Sequence, residues 1–93
     1  NSQESWENFI KYLSYDDRIG NSHMQVPGPD GKKGFGGACF TKDTAALLDF
    51  SSKVGKEISL LKKAIQINNE IRSNYKNLDQ REKDQNVNYE FDK

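Results

Sequence analysis

The sequence predicts an all-α protein made of a short helix, a long glycine-rich loop and two further helices, the second of them long and dimer-forming. Two observations support this fold class. Apolar residues recur at helical spacing in three separate segments. Both prolines and five of the seven glycines fall in one stretch, VPGPDGKKGFGG at residues 26–37, between the first and second of those segments. Prolines and glycines at this density interrupt helices and favour turns.

The composition indicates one small domain with a thin core. Of its 93 residues, 33% are hydrophobic and 30% are charged, and a domain of this size buries too little surface to be very stable alone. Fourteen basic residues balance fourteen acidic ones, which argues against nucleic acid and against an anionic membrane surface as partners. No apolar run approaches the roughly 18 residues that a membrane span needs. We therefore expect a domain that gains stability from a protein partner.

The single cysteine and the single histidine limit the available chemistry. Cys39 has no second cysteine with which to form an intramolecular disulfide, which fits a reducing, cytoplasmic location. His23 has no partner at ligand spacing, so we expect no metal site. The sequence starts without Met and shows no signal peptide, so we expect an excised or processed piece.

The first helix is predicted over residues 2–14, with Asn1 or Ser2 as its cap. The residues at positions i, i+3, i+4 and i+7 of its apolar face are Trp6, Phe9, Ile10 and Leu13. Residues 15–38 are predicted to form a loop. Because structureless loops of this length are unusual in compact domains, we expect it to be functional, disordered alone, or ordered by a missing partner.

The second helix is predicted to begin near Thr41 to Asp43, with either residue as its cap. Its apolar side is formed by Ala45, Leu47, Leu48, Phe50 and Val54. Gly55 is predicted to end this helix as the residue just beyond the cap, where glycine readily adopts a left-handed conformation.

The third helix is predicted from about Lys56 to Leu78. Its apolar residues cover an arc of about 180°, wider than the ~100° stripe of a surface helix. They are Ile58, Leu60, Leu61, Ala64, Ile65, Ile67, Ile71, Tyr75 and Leu78. This width predicts burial on two sides, against its own domain and against a second chain. Asn68 lies inside the arc, either as a satisfied buried amide or as a polar residue that fixes the register of a helix pair.

The segment from Asn77 onward, NLDQREKDQNVNYEFDK, has few apolar residues and mixed charges. We interpret it as a frayed helix end followed by a disordered tail.

The stretch GFGGACFTKD, residues 34–43, concentrates reactive groups before the predicted second helix. A helix N-terminus and a nearby cation such as Lys42 favour the thiolate form of a cysteine. Asp43, four residues after Cys39, is placed to hold or activate water, and the glycines allow close backbone approach to a phosphate or an oxyanion. Two alternatives stay open from composition alone: Cys39 as a small buried hydrophobic residue, and the glycine-rich loop as a linker.

GFGGACFTKD closely resembles the cysteine segment of the UDP-glucose/GDP-mannose dehydrogenase family, which typically reads GFGGxCFPKD. The preceding RIGNSHMQVPGPDGKKGFGG resembles the UDP-glucose 6-dehydrogenase branch, and the following TAALLDFSSKVG and AIQINNEIR resemble the family's central helical domain. The resemblance covers residues 15–76. It implies that residues 1–78 are the central dimerisation domain and 79–93 a polar tail or linker. The NAD-binding Rossmann domain and the C-terminal UDP-binding domain would then be absent, in keeping with the lack of a G-x-G-x-x-G motif.

The resemblance also implies an activity, the NAD-dependent oxidation of UDP-glucose to UDP-glucuronate by two hydride transfers. Cys39 would form a thiohemiacetal and then a thioester, and Asp43 would position the hydrolytic water. The residues assigned to sugar-nucleotide binding are Arg18, Gly34, Phe35 and Gly36, with Arg18 reaching the sugar of a neighbouring subunit. Lys42 would lie at the NAD side. The implied partners are a second copy of the chain and UDP-glucose, and the isolated chain is expected to be inactive.

Departures from the family pattern leave some choices open. Thr41 replaces a frequent proline, with little expected effect because Thr can cap a helix. Ala38 argues against membership of the UDP-N-acetylmannosamine dehydrogenase branch, whose members usually have a histidine at this position. The length of the loop varies in the family, so the family's phosphate-binding lysine is not assigned to either Lys32 or Lys33. His23 and Met24 either line the sugar-nucleotide pocket or pack within the loop. The alternatives are a GDP-mannose 6-dehydrogenase, a homodimerisation module without activity, and an unrelated helical protein with a chance motif.

Overall fold

The computed structural model describes residues 2–91 and 93, with side chains from Glu4 onward. These residues form four α-helices and no strand, which confirms the all-α class. The helices are α1 (Ser2–Leu13), α2 (Ala38–Lys53), α3 (Ser59–Arg72) and α4 (Gln80–Asp84). The chain divides into two compact units, Asn1–Lys33 and Gly34–Lys93, and each unit is described by itself.

The first unit consists of α1 and the turns that follow it. The helix matches the predicted range of 2–14 within one residue. Its proposed cap Asn1 lies outside the described residues. The indole Nε1 of Trp6 donates a hydrogen bond to the backbone oxygen of Met24 at 2.7 Å. The two residues also line a shallow cleft of about 440 Å³, so the segment after α1 folds back onto that helix.

Helix α2 begins at Ala38, three to five residues earlier than predicted, and neither Thr41 nor Asp43 caps it. Gly37 occupies the cap position with φ 92° and ψ 168°, without any side-chain cap. A glycine tolerates this left-handed φ, so the chain enters the helix directly from the glycine-rich loop. The helix end matches the prediction: Gly55 has φ 78° and its amide donates to the oxygen of Ser52 at 3.1 Å.

Helix α3 is shorter than the predicted 56–78 range at both ends. Before it, the amide of Ile58 donates to the Ser51 hydroxyl at 3.2 Å instead of to a helical carbonyl. After it, the side chains of Ser73 and Asn74 both donate to the backbone oxygen of Glu70, at 3.0 and 3.2 Å. Short polar side chains that compete in this way for backbone oxygens favour helix ends, which explains why α3 stops at Arg72.

Helix α3 has one buried face and one exposed apolar face, so the burial on two sides that its wide arc predicts is seen on one side only. The buried face consists of Ile65, Asn68, Asn69 and Arg72. The opposite stripe is exposed and apolar, and consists of Leu60, Ala64, Ile67 and Ile71; we call it the exposed α3 stripe. One face of α3 therefore packs within the second unit, whereas Leu60, Ile67 and Ile71 of the exposed α3 stripe remain 83%, 46% and 37% exposed.

The expected disorder after Asn77 is wrong for the described residues. Asp79 caps α4 with a capping box, in which its side chain accepts from the amide of Glu82 at 2.7 Å while Glu82 accepts from the amide of Asp79 at 3.1 Å. Asn86, with φ 57°, ends the helix. Glu82 and Tyr89 are 1% and 5% exposed, so this polar segment supplies part of the core.

The core of the second unit is unusually polar. Arg72 and Glu82 are its most deeply buried side chains, and Arg72 Nη2 lies 3.5 Å from Glu82 Oε2. The Arg72 guanidinium also lies over the Tyr89 ring, 5.3 Å from its centroid, and Tyr89 donates a hydrogen bond to Glu82. Buried charges are tolerated when they are paired and hydrogen-bonded. Here the pairing joins α3, α4 and the segment after α4.

Candidate functional site

Cys39 lies in the first turn of α2 and is exposed. The alternative of Cys39 as a small buried hydrophobic residue is therefore excluded. It lines a cleft of about 340 Å³. The cleft lining consists of Ala38, Cys39, Lys42, Asp43, Arg81, Asp84 and Gln85. The structure thus brings together three of the residues singled out in the sequence, namely Cys39, Lys42 and Asp43, because positions three and four residues apart share one side of a helix.

The cleft also contains a residue that sequence reasoning missed. Arg81 Nη2 lies 3.8 Å from the sulfur of Cys39, to which it donates a hydrogen bond. The capping-box pattern of Asp79 and Glu82 could have indicated a helix at this position. Nothing in the sequence indicates that the helix packs beside Cys39, which lies 42 positions away.

The glycine-rich segment before Cys39 is held by a side chain of α3. The amide of Phe35 donates to Asn68 Oδ1 at 2.6 Å, and Asn68 Nδ2 donates to the oxygen of Phe35 at 2.9 Å. Asn68 is 4% exposed, so it is a satisfied buried amide within its own chain. The Phe35 ring packs edge-to-face on Phe40, with centroids 5.2 Å apart. The backbone at Phe35, four residues before Cys39, is therefore held by two hydrogen bonds to Asn68 and by the packing of its ring on Phe40.

Two glycines of the motif are required by contacts within the chain. A Cβ on Gly34, which has φ 80°, would lie 2.6 Å from Asn68 Oδ1. A Cβ on Gly36 would overlap the guanidinium of Arg72. The sequence interpretation was that these glycines let a ligand approach the backbone. In the structure, side chains of α3 already make that close approach at Gly34 and Gly36.

Glu82 holds the residue at the start of α2. Its Oε2 accepts a hydrogen bond from the amide of Gly37 at 3.2 Å. Burial alone raises the pKa of the Glu82 carboxyl. Hydrogen bonds from Tyr89, Asp79 and Gly37, together with the charge of Arg72, outweigh burial and leave this pKa below its ordinary value. Glu82 is therefore a charged acceptor at neutral pH.

The pKa of Tyr89 is raised, whereas that of Glu82 is lowered. Burial and the hydrogen bond to Glu82 raise the pKa of the Tyr89 hydroxyl. A weaker contact with Thr41, whose hydroxyl oxygen lies 3.4 Å away, opposes this shift without cancelling it. The buried tyrosine therefore stays neutral and continues to donate to Glu82 over the ordinary pH range.

Arg18 lies in the first unit, where it pairs locally. Its Nε and Nη2 donate to the two oxygens of Asp16 at 3.0 and 2.8 Å. These hydrogen bonds lower the pKa of the Asp16 carboxyl. The Arg18 side chain is 89% exposed, so it stays accessible. Lys32 and Lys33 belong to this unit as well. The predicted binding roles of Arg18, Gly34, Phe35, Gly36 and Lys42 stay predictions.

Within residues 2–91 and 93, no three histidine, cysteine or acidic side chains come close enough together to hold a metal ion. None of the helices formed by these residues has the length and apolar character needed to span a membrane.

Comparison with known proteins identifies the family. Residues 4–70 match the UDP-glucose/GDP-mannose dehydrogenase family, central domain. The chain is 37% identical over 57 residues to UDP-glucose 6-dehydrogenase YwqF of Bacillus subtilis (strain 168). This match covers 61% of the chain and 12% of that enzyme, so the chain corresponds to a small part of its relative. No solved structure matches the chain. The chance-motif alternative is therefore excluded, and the chain belongs to the UDP-glucose/GDP-mannose dehydrogenase family, through its central domain.

Proposed function

We propose that this chain is the cysteine-bearing part of an NAD-dependent UDP-glucose 6-dehydrogenase. The observation that supports this most directly is the shared cleft of Cys39, Lys42 and Asp43, inside the stretch that matches the family's central domain. The relative that is 37% identical is named a UDP-glucose 6-dehydrogenase, which favours UDP-glucose over GDP-mannose as the substrate. An exposed single cysteine suits a reducing, cytoplasmic environment.

The chemistry of Cys39 is nucleophilic. Its thiolate adds to the C6 aldehyde of the oxidised sugar, forming a carbon–sulfur bond, and the carbonyl oxygen takes up a proton to give a thiohemiacetal. NAD, when bound, accepts the hydride of each of the two oxidations. The second oxidation leaves a thioester on Cys39. Water then adds to the thioester and releases the uronic acid with return of the thiol, and Asp43 positions that water.

The chain's residues fit the nicotinamide cofactor only at one edge. Lys42 borders the cleft beside Cys39, where its charge suits an anionic group of NAD. The sequence holds no G-x-G-x-x-G motif for the dinucleotide, so the rest of that site would come from another domain. Gly34, Phe35 and Gly36 would face the sugar nucleotide through the backbone that Asn68 and Arg72 support, and Arg18 would reach the sugar of a neighbouring subunit.

A second copy of this chain is the proposed partner of the exposed α3 stripe. Four apolar residues repeat along one side of a helix whose other side is already packed. Helices with this pattern commonly pair around a two-fold axis. The alternative function, a homodimerisation module with no activity of its own, rests on the same stripe. The two proposals differ only in whether Cys39 takes part in catalysis.

The test is NADH formation from nucleotide sugars. The chain is joined to the NAD-binding and C-terminal domains of its family and given UDP-glucose or GDP-mannose. We expect NADH with UDP-glucose, slower reaction with GDP-mannose, and no reaction by the isolated chain. Cys39→Ser should abolish the formation of uronic acid. Full activity of the Cys39→Ser variant would refute the proposal and favour the dimerisation module.

A further inference from the structure

The contact between Arg81 and Cys39 joins two distant parts of the chain at the proposed nucleophile. Arg81 Nη2 donates to the sulfur at 3.8 Å across 42 positions of sequence, and both residues border the same cleft. A guanidinium stays charged at every pH at which a protein is folded. A hydrogen bond from a charged donor is stronger than a neutral one, and a sulfur accepts it best as the thiolate.

The neighbouring residue explains why Arg81 is held in this place. Glu82 is 1% exposed and bonds to the amide of Gly37, the residue that caps the helix of Cys39. Tyr89 and Arg72 bind the same carboxylate. Because Arg81 and Glu82 are consecutive residues of α4, burial of Glu82 fixes the backbone from which Arg81 extends. The capping box of Asp79 fixes the start of the same helix.

Two other charged side chains of the cleft, Lys42 and Asp84, do not make the contact with the cysteine sulfur that Arg81 makes. Lys42 borders the cleft on α2, but no hydrogen bond joins it to the sulfur among those found in the described residues. Asp84 lies on α4, and one of its carboxylate oxygens accepts from Gln80 Nε2 at 2.8 Å. Arg81 is therefore the cation whose charged group touches the sulfur.

We propose that Arg81 is a further catalytic residue of the cysteine site, where its guanidinium stabilises the Cys39 thiolate that attacks the aldehyde. The Sγ proton passes to solvent when the thiolate forms, and the guanidinium keeps all its protons throughout. This inference rests on the proposed function, because it assigns a role in the same reaction. It makes the segment after α3, which the sequence suggested to be a tail, part of the site.

The test measures alkylation of Cys39 in the chain as it stands. Since Cys39 is the only cysteine, iodoacetamide and iodoacetate report on this thiol alone. The variants are Arg81→Gln, Arg81→Lys and, as a matched control on the same helix, Lys83→Gln. Arg81 and Lys83 are both exposed, so we expect all three variants to fold, with circular dichroism as the check.

We expect Arg81→Gln to slow alkylation by iodoacetamide roughly two- to five-fold, the range of an exposed charge interaction. The loss should be larger with anionic iodoacetate, which the guanidinium also attracts. Arg81→Lys should restore most of the rate, and Lys83→Gln should leave it unchanged. Unchanged rates in Arg81→Gln, or an equal loss in Lys83→Gln, would overturn the inference.

This experiment is independent of the dehydrogenase assay, because alkylation needs neither NAD nor UDP-glucose. An Arg81 effect without NADH formation in the multidomain protein would support the contact and refute the proposed reaction. NADH formation without an Arg81 effect on alkylation would refute the role of Arg81 and leave the proposed function standing.

Discussion

The carboxylate of Glu82 accepts a hydrogen bond from the backbone amide of Gly37, at 3.2 Å and across 45 positions of sequence. Gly37 caps α2, and Cys39 is the second residue of that helix. The same carboxylate binds Tyr89 and lies beside Arg72. The start of α2 is therefore stabilised by the buried carboxylate of Glu82, a residue close to the C-terminal end of the described chain.

Replacing this charge should destabilise the chain strongly. Glu82→Gln removes one partner of a buried ion pair, whose loss typically costs about 3–5 kcal/mol because the other charge stays buried. We expect a large drop in the urea midpoint of unfolding. Glu90→Gln is the matched control, since Glu90 is exposed and makes only a surface ion pair with Lys93, and it should change stability by less than about 1 kcal/mol. Equal effects of the two substitutions would contradict a structural role for the Glu82 charge.

The stability of the chain should fall at both ends of the pH range for identifiable reasons. The pKa of Glu82 lies below its ordinary value of 4.5. Its contribution to stability is thus complete above that value and is lost as the pH falls through the lower, folded-state pKa. The pKa of Tyr89 lies above its ordinary value of 10.0. Its contribution is complete below that value and is lost as the pH rises through the folded-state pKa.

The measurement for this prediction is the melting temperature as a function of pH. Glu82→Gln should reduce the slope of the acid limb, and Tyr89→Phe should reduce the slope of the alkaline limb. An acid limb of the same steepness in Glu82→Gln and in the parent chain would show that other carboxylates govern acid unfolding.

Gly36 should tolerate no side chain. Gly36→Ala places a Cβ against the Arg72 guanidinium, and overpacking of this kind costs about 1–3 kcal/mol. The control is Gly20→Ala, because nothing lies within 4 Å of a Cβ at that position, and it should be close to neutral. Thermal unfolding of the two variants measures the difference. Similar melting temperatures for both would indicate that Arg72 moves aside.

The exposed α3 stripe should mediate pairing of two chains. Ile71 is 37% exposed, and Ile71→Asp would place a charge inside the proposed seam, where an unpaired charge is costly. We expect this variant to be monomeric in sedimentation velocity under conditions that give a dimer of the parent chain. Gln66→Asp introduces the same side chain on α3 outside the stripe and should leave the dimer intact. A dimer that survives Ile71→Asp would place the interface elsewhere.

The sequence predicted the elements whose signals are local. The helical spacing of the apolar residues from Trp6 to Leu13 predicted α1, and Gly55 predicted the end of α2. Both signals, a helical repeat of apolar residues and a glycine in a left-handed conformation, involve only a few adjacent residues. The grouping of Cys39, Lys42 and Asp43 was expected from their closeness in sequence at a helix start, although the helix was predicted to begin after Cys39 and in fact includes it. The start of α2 was misplaced because Gly37 caps the helix through its backbone conformation, which leaves no side-chain signal.

The sequence did not predict that residues 79–91 supply part of the core, because their burial depends on contacts with other parts of the chain and not on a local pattern. Their polar composition is typical of disordered segments, and only a pairing between distant residues makes Glu82 and Arg72 buried. The capping box of Asp79 and Glu82 is a local signal that would have revealed α4. The contact between Arg81 and Cys39 has no local signal, since it depends on how α4 packs.

The most direct test of the proposed role of Cys39 is to trap its covalent intermediate. Asp43→Asn should slow thioester hydrolysis, so that the chain joined to the family's NAD-binding and C-terminal domains accumulates an acyl adduct when UDP-glucose and NAD are supplied. Mass spectrometry of the digested protein should then show a UDP-glucuronyl adduct on the peptide that contains Cys39, and none in a variant that combines Asp43→Asn with Cys39→Ala, which has no nucleophilic atom at this position. Turnover of UDP-glucose without any adduct on that peptide, or an adduct that persists in the double variant, would contradict the assignment of Cys39 as the nucleophile.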